Sequence, residues 1–119
     1  MSFFPLMKVH VIKELTLFRF VQQHASSKAG IDIWRNLVPI ADWEQPLDIV
    51  ATFGSADILG KGSNRVVFNL GGNKYRLICG YWFGRRRVHL YVKWIGTHAE
   101  YDKLCESGNQ YTVDAFKGE

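Results

Sequence analysis

The sequence predicts an α+β fold, in which an N-terminal strand and helices pack on one face of a twisted antiparallel sheet and a short helix follows near the C terminus. Residues 13–53 carry apolar side chains at spacings of three and four, which is typical of amphipathic helices. Residues 65–95 instead alternate apolar and polar side chains, which is typical of strands. With 119 residues, of which 47% are hydrophobic, the chain suits one domain, 1–119, with residues 1–6 as a candidate N-terminal extension.

The N-terminal half begins with "MKVHVI" (7–12), whose alternation and β-branched residues predict a strand. The next segment, "KELTLFRFVQQH" (13–24), has an apolar stripe and predicts an amphipathic helix. Ser26 or Ser27 is then the expected N-cap of a second helix. Its core-facing positions have the spacing i, i+3, i+4, i+7 and are Trp34, Leu37, Val38 and Ala41.

Two prolines set the expected limits of the helical region. Pro39 falls inside the second helical pattern and should kink or end that helix. Pro46 suits the first turn of a third helix over residues 46–53. The Gly/Ser-containing segment 54–64 reads as a loop.

Three predicted strands follow, "RVVFNL" (65–70), "KYRLICGYWF" (74–83) and "VHLYVKWI" (88–95), joined at the tips "GGN" (71–73) and "GRRR" (84–87). Alternation puts one apolar set on the core face, namely Val66, Phe68, Leu70, Tyr75, Leu77, Cys79, Tyr81, Phe83, Val88, Leu90, Val92 and Trp94. The opposite face is then basic and aromatic, and helices are expected only on the apolar face.

Charge is unevenly distributed along the chain. The net charge is +4, but residues 58–99 hold eight Lys and Arg residues and no Asp or Glu. Such a concentrated positive field favours a polyanionic partner, most plausibly nucleic acid. No apolar run is long enough to span a membrane, and the N terminus is a poor signal peptide. Cys79 and Cys105 are far apart and the histidines lack ligand spacing, so we expect a reduced, cytosolic chain without a metal or other cofactor.

RNA-binding surfaces need cations for phosphates and flat rings for bases. The basic face and its tips offer both, with Trp82 as a further ring, and the RNA-contacting candidates are Arg65, Lys74, Arg85, Arg86, Arg87, Tyr91 and Lys93. RNA also carries its own nucleophile, the 2′-hydroxyl. A protein can therefore cleave it without a metal by activating that hydroxyl, stabilising the phosphorane and protonating the leaving 5′-oxygen.

The stretch "THAEYDKL" (97–104) offers groups for that chemistry. Thr97 and Glu100 have capping-box spacing and predict a helix start there. His98 and Tyr101 share one face of that helix and are candidates for the acid and base, in either order. Arg76 is the candidate for stabilising the developing charge. The simpler reading makes His98 a surface residue and Tyr101 a packing residue that docks the helix on the sheet.

The segments "ADWEQPLDIVATFGSADILG", "NRVVFNLGGNKYRLI" and "GTHAEYDKL", in this order and spacing, resemble the HigB family of bacterial type II toxins, which is related to the RelE toxins. The resemblance covers about residues 7–116. It implies a RelE-like fold, metal-independent cleavage of mRNA on translating ribosomes, and neutralisation by a HigA-type helix-turn-helix antitoxin that also binds the operator DNA. The residues carried over first are Arg76, His98 and Tyr101, and those carried over second are Asn69, Asn73 and Lys74.

The chain departs from the family pattern at Pro39, at Gly54 and in the hairpin "GYWFGRRR". Two other readings stay open from the sequence. One is a ParE-like gyrase poison, which shares the scaffold, and the other is a non-catalytic RNA- or ribosome-binding module. In the toxin reading, the antitoxin is expected to cover the basic sheet face or to hold the last helix away from its working position.

Overall fold

The structure is a computed structural model and describes residues 8–118. These residues contain five strands and four α-helices. The N-terminal extension over residues 1–6 falls outside this range. In chain order the elements are β1 (Lys8–Ile12), α1 (Leu15–Gln23), α2 (Lys28–Leu37), α3 (Pro46–Thr52), β2 (Asp57–Ile58), β3 (Arg65–Leu70), β4 (Tyr75–Phe83), β5 (Arg87–Thr97) and α4 (His98–Glu106).

The strands form one sheet in the order β1-β5-β4-β3-β2. The pairs formed by β2, β3, β4 and β5 are antiparallel, whereas β1 runs parallel to β5, with Val9 opposite Val88. The predicted α+β class is confirmed, but the sheet is mixed rather than purely antiparallel. Parallel strands need a long crossover connection between them. Here the three helices and strands β2–β4 lie between β1 and β5 in the chain, so β5 can run parallel to β1.

The helices cover one face of the sheet and close the main core. Trp34 of α2 packs edge-on against Phe68 of β3, with ring centroids 5.4 Å apart, and Phe53 packs against the same ring at 5.1 Å. Such aromatic pairs add to the energy of apolar burial. The fully buried side chains of this core include Leu17, Ile31, Trp34, Val38, Trp43, Ile49, Val66, Leu77, Cys79, Val88, Leu90 and Val92.

Both prolines act as predicted. Helix α2 ends at Leu37, and Val38–Ile40 continue as a single 3-10 turn that contains Pro39. Pro46 is the first residue of α3, where its missing N–H costs no helical hydrogen bond.

The prediction that a serine side chain caps the N terminus of α2 is wrong. Ser27 immediately precedes the helix, but it has helical dihedral angles and its side chain makes no cap hydrogen bond. Its Oγ instead donates to the carbonyl oxygen of His24 at 2.6 Å, because residues 25–27 already form a 3-10 turn.

The predicted loop 54–64 contains β2, a short strand that the sequence pattern did not reveal. Asp57 pairs with Val67 and Ile58 with Val66 of β3. Before Asp57 the chain turns away, since the N–H of Ala56 donates to the carbonyl of Phe53 at 2.8 Å. Within the described residues, the outer edge of β3 beyond Val67 therefore has no strand beside it.

A β-bulge changes the faces of β5. Ile78 pairs with Trp94 but Cys79 pairs with Val92, so Lys93 is the extra residue. Past the bulge, Ile95 joins the core and Trp94 turns to the opposite face. The prediction that Trp94 lies on the core face is therefore wrong, since simple alternation cannot account for an inserted residue.

The sequence predicted an open, basic second face of the sheet, but in the structure this face is partly covered. The C-terminal segment after α4 crosses it, and the N–H of Ala115 donates to the carbonyl of Lys93 at 2.8 Å. Val67 and Ile78, which point to this face, are consequently 3% and 0% exposed. Both faces of these strands are therefore partly buried, which alternation in the sequence does not reveal.

Candidate functional site

Helix α4 starts where β4 begins, and this junction brings the candidate residues together. Thr97 Oγ1 accepts from the N–H of Glu100 at 3.2 Å, and Glu100 Oε1 accepts from the N–H of Thr97 at 2.8 Å, which confirms the predicted capping box. The second bond is the main reason that the pKa of Glu100 is lowered. The N–H of His98 donates to the carbonyl of Lys74 at 2.9 Å and fixes the helix start beside β4.

Arg76 is held rigidly beside this helix start. It is the second residue of β4, lies opposite Gly96 of β5 and is only 8% exposed. Its Nη1 donates to the carbonyl oxygens of Asn73 at 3.1 Å and Tyr75 at 3.2 Å, and its Nη2 donates to Asn73 Oδ1 at 2.5 Å. Of the five guanidinium N–H groups, Nε–H and one Nη2–H have no partner in the described residues. In a guanidinium, Nε–H and one Nη2–H point the same way, with a spacing that matches two oxygens of a phosphate.

Asn73 supports this arrangement through its backbone conformation. Its φ of 84° lies in the left-handed region, which Asn tolerates better than most residues. In this conformation its carbonyl and its side-chain oxygen both accept from the Arg76 guanidinium. Asn73 is exposed while it holds Arg76, so its predicted contact with RNA stays a prediction.

Trp94 and Tyr101 form the aromatic part of the site. Their ring centroids are 6.2 Å apart at an interplanar angle of 47°. The indole of Trp94 lies over Gly96, where a Cβ atom would come within 2.5 Å of the ring. Trp94 is not among the site residues predicted from the sequence, because simple alternation places it on the core face.

Burial raises the pKa of Tyr101 above its ordinary value, and a hydrogen bond to the Cys105 thiol and the nearby Asp57 carboxylate act in the same direction. The Arg76 guanidinium opposes them by favouring the phenolate. The net effect is a raised pKa, so the phenol is protonated at neutral pH and its phenolate form is scarcer than that of an exposed tyrosine.

His98 is the most accessible of the three candidate catalytic residues. Its side chain is 46% exposed, and its Nδ1 lies 3.6 Å from Asp102 Oδ1 one turn further along α4. This separation is longer than a hydrogen bond, so Asp102 does not fix the tautomer of the ring. The imidazole therefore remains available to a ligand at the helix start.

The remaining RNA-contact candidates do not all gather here. Lys74 and Asn73 are exposed beside Arg76, whereas Asn69 is half-buried at the end of β3. Arg85, Arg86 and Arg87 are exposed at the β4–β5 hairpin tip. That tip is separated from Arg76 by the length of β4, roughly 25 Å at 3.3 Å per residue. Tyr91 is half-buried, with the Lys93 ammonium 5.6 Å from its ring centroid.

Two of the predicted RNA-contacting cations are engaged within the protein. Arg65 is 7% exposed and its Nη1 donates to the carbonyls of Gln110 and Val113 at 3.3 and 2.6 Å. Burial accordingly lowers its pKa. Lys93 Nζ lies 3.1 Å from Asp114 Oδ2. Both side chains hold the C-terminal segment on the sheet, and neither presents a free charge to a phosphate.

A cleft of about 280 Å³ opens next to Trp94, between α1 and the C-terminal segment. Its lining includes Thr16, Arg19, Phe20, Gln23, Trp94, Ile95, Ala115 and Phe116. The cleft is mainly apolar but has polar side chains from α1, which suits the flat face of a nucleobase and its polar edge.

Residues 8–118 contain no cluster of three or more His, Cys, Asp or Glu side chains arranged to hold a metal ion. In the same range, every helix is too short or too polar to cross a membrane.

The fold and the junction of β4 with α4 define a small α+β protein with a charged, aromatic site. Its sequence matches, over residues 27–104, the family described as HigB_toxin, RelE-like toxic component of a toxin-antitoxin system. The chain therefore belongs to the HigB family of RelE-like toxins. It is 26% identical over 94 residues to the mRNA interferase toxin HigB of Escherichia coli (strain K12), covering 79% of this chain and 88% of that protein. The mRNA interferases HigB of Escherichia coli O157:H7 and Shigella flexneri match over the same extent.

Proposed function

We propose that this chain is the toxin of a type II toxin–antitoxin pair and acts as a metal-independent mRNA endoribonuclease. It cleaves ribosome-associated mRNA and thereby stops translation and growth. The observation that carries the proposal is the Arg76 guanidinium, which is fixed by three hydrogen bonds, has two N–H groups without a partner in the described residues, and acts electrostatically on Tyr101 of α4, the helix that His98 begins. The relatives named as mRNA interferases support the reaction class.

The reaction starts with attack of an RNA 2′-oxygen on the adjacent phosphorus. A base takes the 2′-hydroxyl proton, Arg76 neutralises charge on the non-bridging oxygens of the phosphorane, and an acid protonates the departing 5′-oxygen. The products are a 2′,3′-cyclic phosphate and a 5′-hydroxyl. The nucleophile comes from the substrate, so no metal-bound water is needed.

We assign the acid to Tyr101 and the base to His98. The raised pKa of Tyr101 makes its phenolate form scarcer at neutral pH, which counts against the base role and leaves the acid role as the one open to it. His98 is exposed at the same helix start and offers an imidazole nitrogen to the 2′-hydroxyl. Trp94 provides a ring for a base flanking the scissile phosphate.

The partners in this proposal are mRNA, the ribosome and a HigA-type helix-turn-helix antitoxin. The toxin–antitoxin complex binds operator DNA only through the antitoxin. The proposed site of action is the cytoplasm, where translating ribosomes are found. Lys74 and the Arg85–Arg87 tip contact phosphates, and Asn69 completes the proposed RNA-facing set.

The test is purified toxin with translating ribosomes and a defined mRNA, followed by analysis of the product ends. We expect 2′,3′-cyclic or 3′-phosphate ends, and cleavage of free RNA that persists in EDTA. Arg76→Lys should remove most activity, because an ammonium keeps the charge but cannot make the paired contact. Ends with 5′-phosphate and 3′-hydroxyl groups would instead indicate a metal nuclease. RNA binding without cleavage would support the non-catalytic module. Trapped gyrase–DNA complexes would support the ParE-like activity.

A further inference from the structure

A second concave surface lies on the helix side of the β3–β4 turn. This groove has a volume of about 210 Å³ and separates α2 from the outer edge of β3. Its lining contains no charged residue and consists of Gly30, Ile33, Trp34, Leu37, Phe53, Asn69, Leu70, Gly71 and Gly72. Ile33 is 62% and Leu37 37% exposed, so the rim offers large apolar side chains to a ligand.

The groove runs beside backbone groups that can pair with another strand. The carbonyl of Arg65 accepts from the N–H of Leu59 on the outer edge of β3. Since backbone groups alternate in direction along a strand, the N–H and C=O of Asn69, four residues later, point to that same edge. Strand β2 pairs only as far as Val67, so nothing in the described residues pairs with Asn69 on that side. An extended peptide can add there as a short strand.

The groove is built before any ligand binds. A Cβ atom on Gly30 would lie 2.5 Å from the backbone nitrogen of Gly71, so α2 and the β3–β4 turn touch directly through backbone atoms. Trp34 is 1% exposed, and its Nε1–H has no acceptor in the described residues. A buried donor without an acceptor is costly, and a peptide carbonyl entering the groove would supply one.

Charge distinguishes this surface from the proposed RNA site. Both cations of α2 are paired with carboxylates of the helices. Arg35 Nε lies 2.6 Å from Glu14 Oε1, and Lys28 Nζ lies 2.5 Å from Asp32 Oδ2. A polyanion therefore finds an uncharged groove beside a helix whose two cations, Lys28 and Arg35, are already paired. An apolar protein segment is the better match in charge and in hydrophobicity.

We propose that this groove docks an extended apolar segment of the antitoxin, which pairs with the backbone of Asn69 and inserts an apolar side chain between Ile33 and Leu37. The inference rests on the toxin–antitoxin part of the proposed function and does not depend on the cleavage chemistry. It replaces the expectation that the antitoxin covers the basic sheet face. The bound segment lies against the turn that carries Asn73, which connects docking to the residue that holds Arg76.

The experiment compares Ile33→Asp with Leu15→Asp. Leu15 is 67% exposed on α1 and lies outside the groove, so it is a control matched in chemistry and exposure. The probe is the purified protein encoded by the gene directly beside that of this chain. The measurements are its Kd by calorimetry, the rate at which each toxin variant cleaves mRNA on translating ribosomes, and the melting temperature of each variant.

We expect Ile33→Asp to weaken antitoxin binding at least ten-fold with the cleavage rate unchanged, and Leu15→Asp to leave both unchanged. In hydrogen exchange, the Asn69 amide should become protected when the wild-type complex forms. Equal affinity of all three proteins, weaker binding by Leu15→Asp alone, or no binding by wild type would overturn the proposal. So would reduced RNA binding by Ile33→Asp at unchanged antitoxin affinity, which would assign the groove to RNA. Wild type that binds the antitoxin but does not cleave RNA would refute only the ribonuclease function.

Discussion

Asn73 Oδ1 accepts a hydrogen bond from Arg76 Nη2 at 2.5 Å, and the carbonyl oxygen of Asn73 accepts a second from Nη1 at 3.1 Å. One residue of the β3–β4 turn thus fixes two of the three nitrogens of the guanidinium. A group that is held in place before substrate binds loses less conformational freedom in the transition state. The turn therefore contributes to the proposed chemistry although no atom of Asn73 has to touch the reacting phosphate.

Asn73→Gly separates the side-chain bond from the backbone conformation. Glycine adopts the positive φ freely and keeps the carbonyl, so only the bond to Nη2 is lost. A hydrogen bond to a charged group contributes roughly 1.5–3 kcal/mol to stability, so we expect Asn73→Gly to lower the melting temperature. Because the guanidinium is then held less firmly, single-turnover cleavage should slow by about ten-fold. Asn73→Ala should slow cleavage similarly and lower stability by about 1 kcal/mol more, because of its strained φ. Wild-type rates in both variants would contradict the holding role.

Gly96→Ala tests the position of Trp94. The added methyl group would lie 2.5 Å from the indole ring, which must move away from Gly96 and disturb its packing against Tyr101. The clash involves the far end of a side chain, so we expect folding to survive and cleavage to fall. The double variant Gly96→Ala, Trp94→Ala removes the clash. If the ring itself is needed, the double variant should be no faster than Trp94→Ala alone, whereas recovery to wild-type rate would exclude a role for Trp94.

Sequence patterns predicted most elements because their signals are local. Pro39 and Pro46 act through their own rings, and the Thr97–Glu100 cap needs only a spacing of three. Strand β3 has the predicted bounds because its alternation is complete. Arg76 lies beside the start of α4 because β4 and β5 form a hairpin that pairs Tyr75 with Thr97, and its predicted role there stays a prediction.

What could not be predicted depends on contacts between distant segments. The burial of Arg65 results from carbonyls 45 and 48 residues away in the chain. The reversal of Trp94 results from a bulge whose extra residue, Lys93, is fixed by its bond to Asp114. Neither has a period or motif that a single sequence reveals.

Tyr101 should affect stability at alkaline pH. Its pKa in the folded protein is raised, so below the ordinary tyrosine pKa of about 10 both the folded and the unfolded protein carry a neutral phenol. As the pH rises further, the unfolded chain ionises first, and folding must then take up a proton. We expect the free energy of unfolding of wild type to fall more steeply between pH 9 and 11 than that of Tyr101→Phe. Urea titrations at each pH measure this difference, and equal slopes would mean that Tyr101 ionises as if exposed.

The hairpin-tip arginines should act in binding and not in chemistry. Arg85, Arg86 and Arg87 are exposed roughly 25 Å from Arg76, too far to touch the reacting phosphate. Reversing all three to Glu should weaken ribosome binding, most strongly at low salt, and reduce the salt dependence of the affinity. Cleavage of a short oligonucleotide at saturating enzyme should be unchanged, whereas Lys74→Glu, beside the site, should slow it. Equal effects of both changes on the oligonucleotide would place the tip in the site.

The start of α4 provides the sharpest test of the proposed ribonuclease. The cap belongs to Thr97 and Glu100, so His98→Ala and Tyr101→Phe leave it intact. An acid or base contributes about a hundred-fold to ten-thousand-fold in rate, roughly 3–5 kcal/mol of barrier, so each change should nearly abolish growth inhibition without altering antitoxin binding. Thr97→Ala should do the opposite, costing about 1 kcal/mol of stability with little change in the chemical step. Single-turnover cleavage and melting curves on the three variants measure both effects. If His98→Ala and Tyr101→Phe cleave at the wild-type rate, the helix serves only to pack against the sheet, and the catalytic groups lie elsewhere.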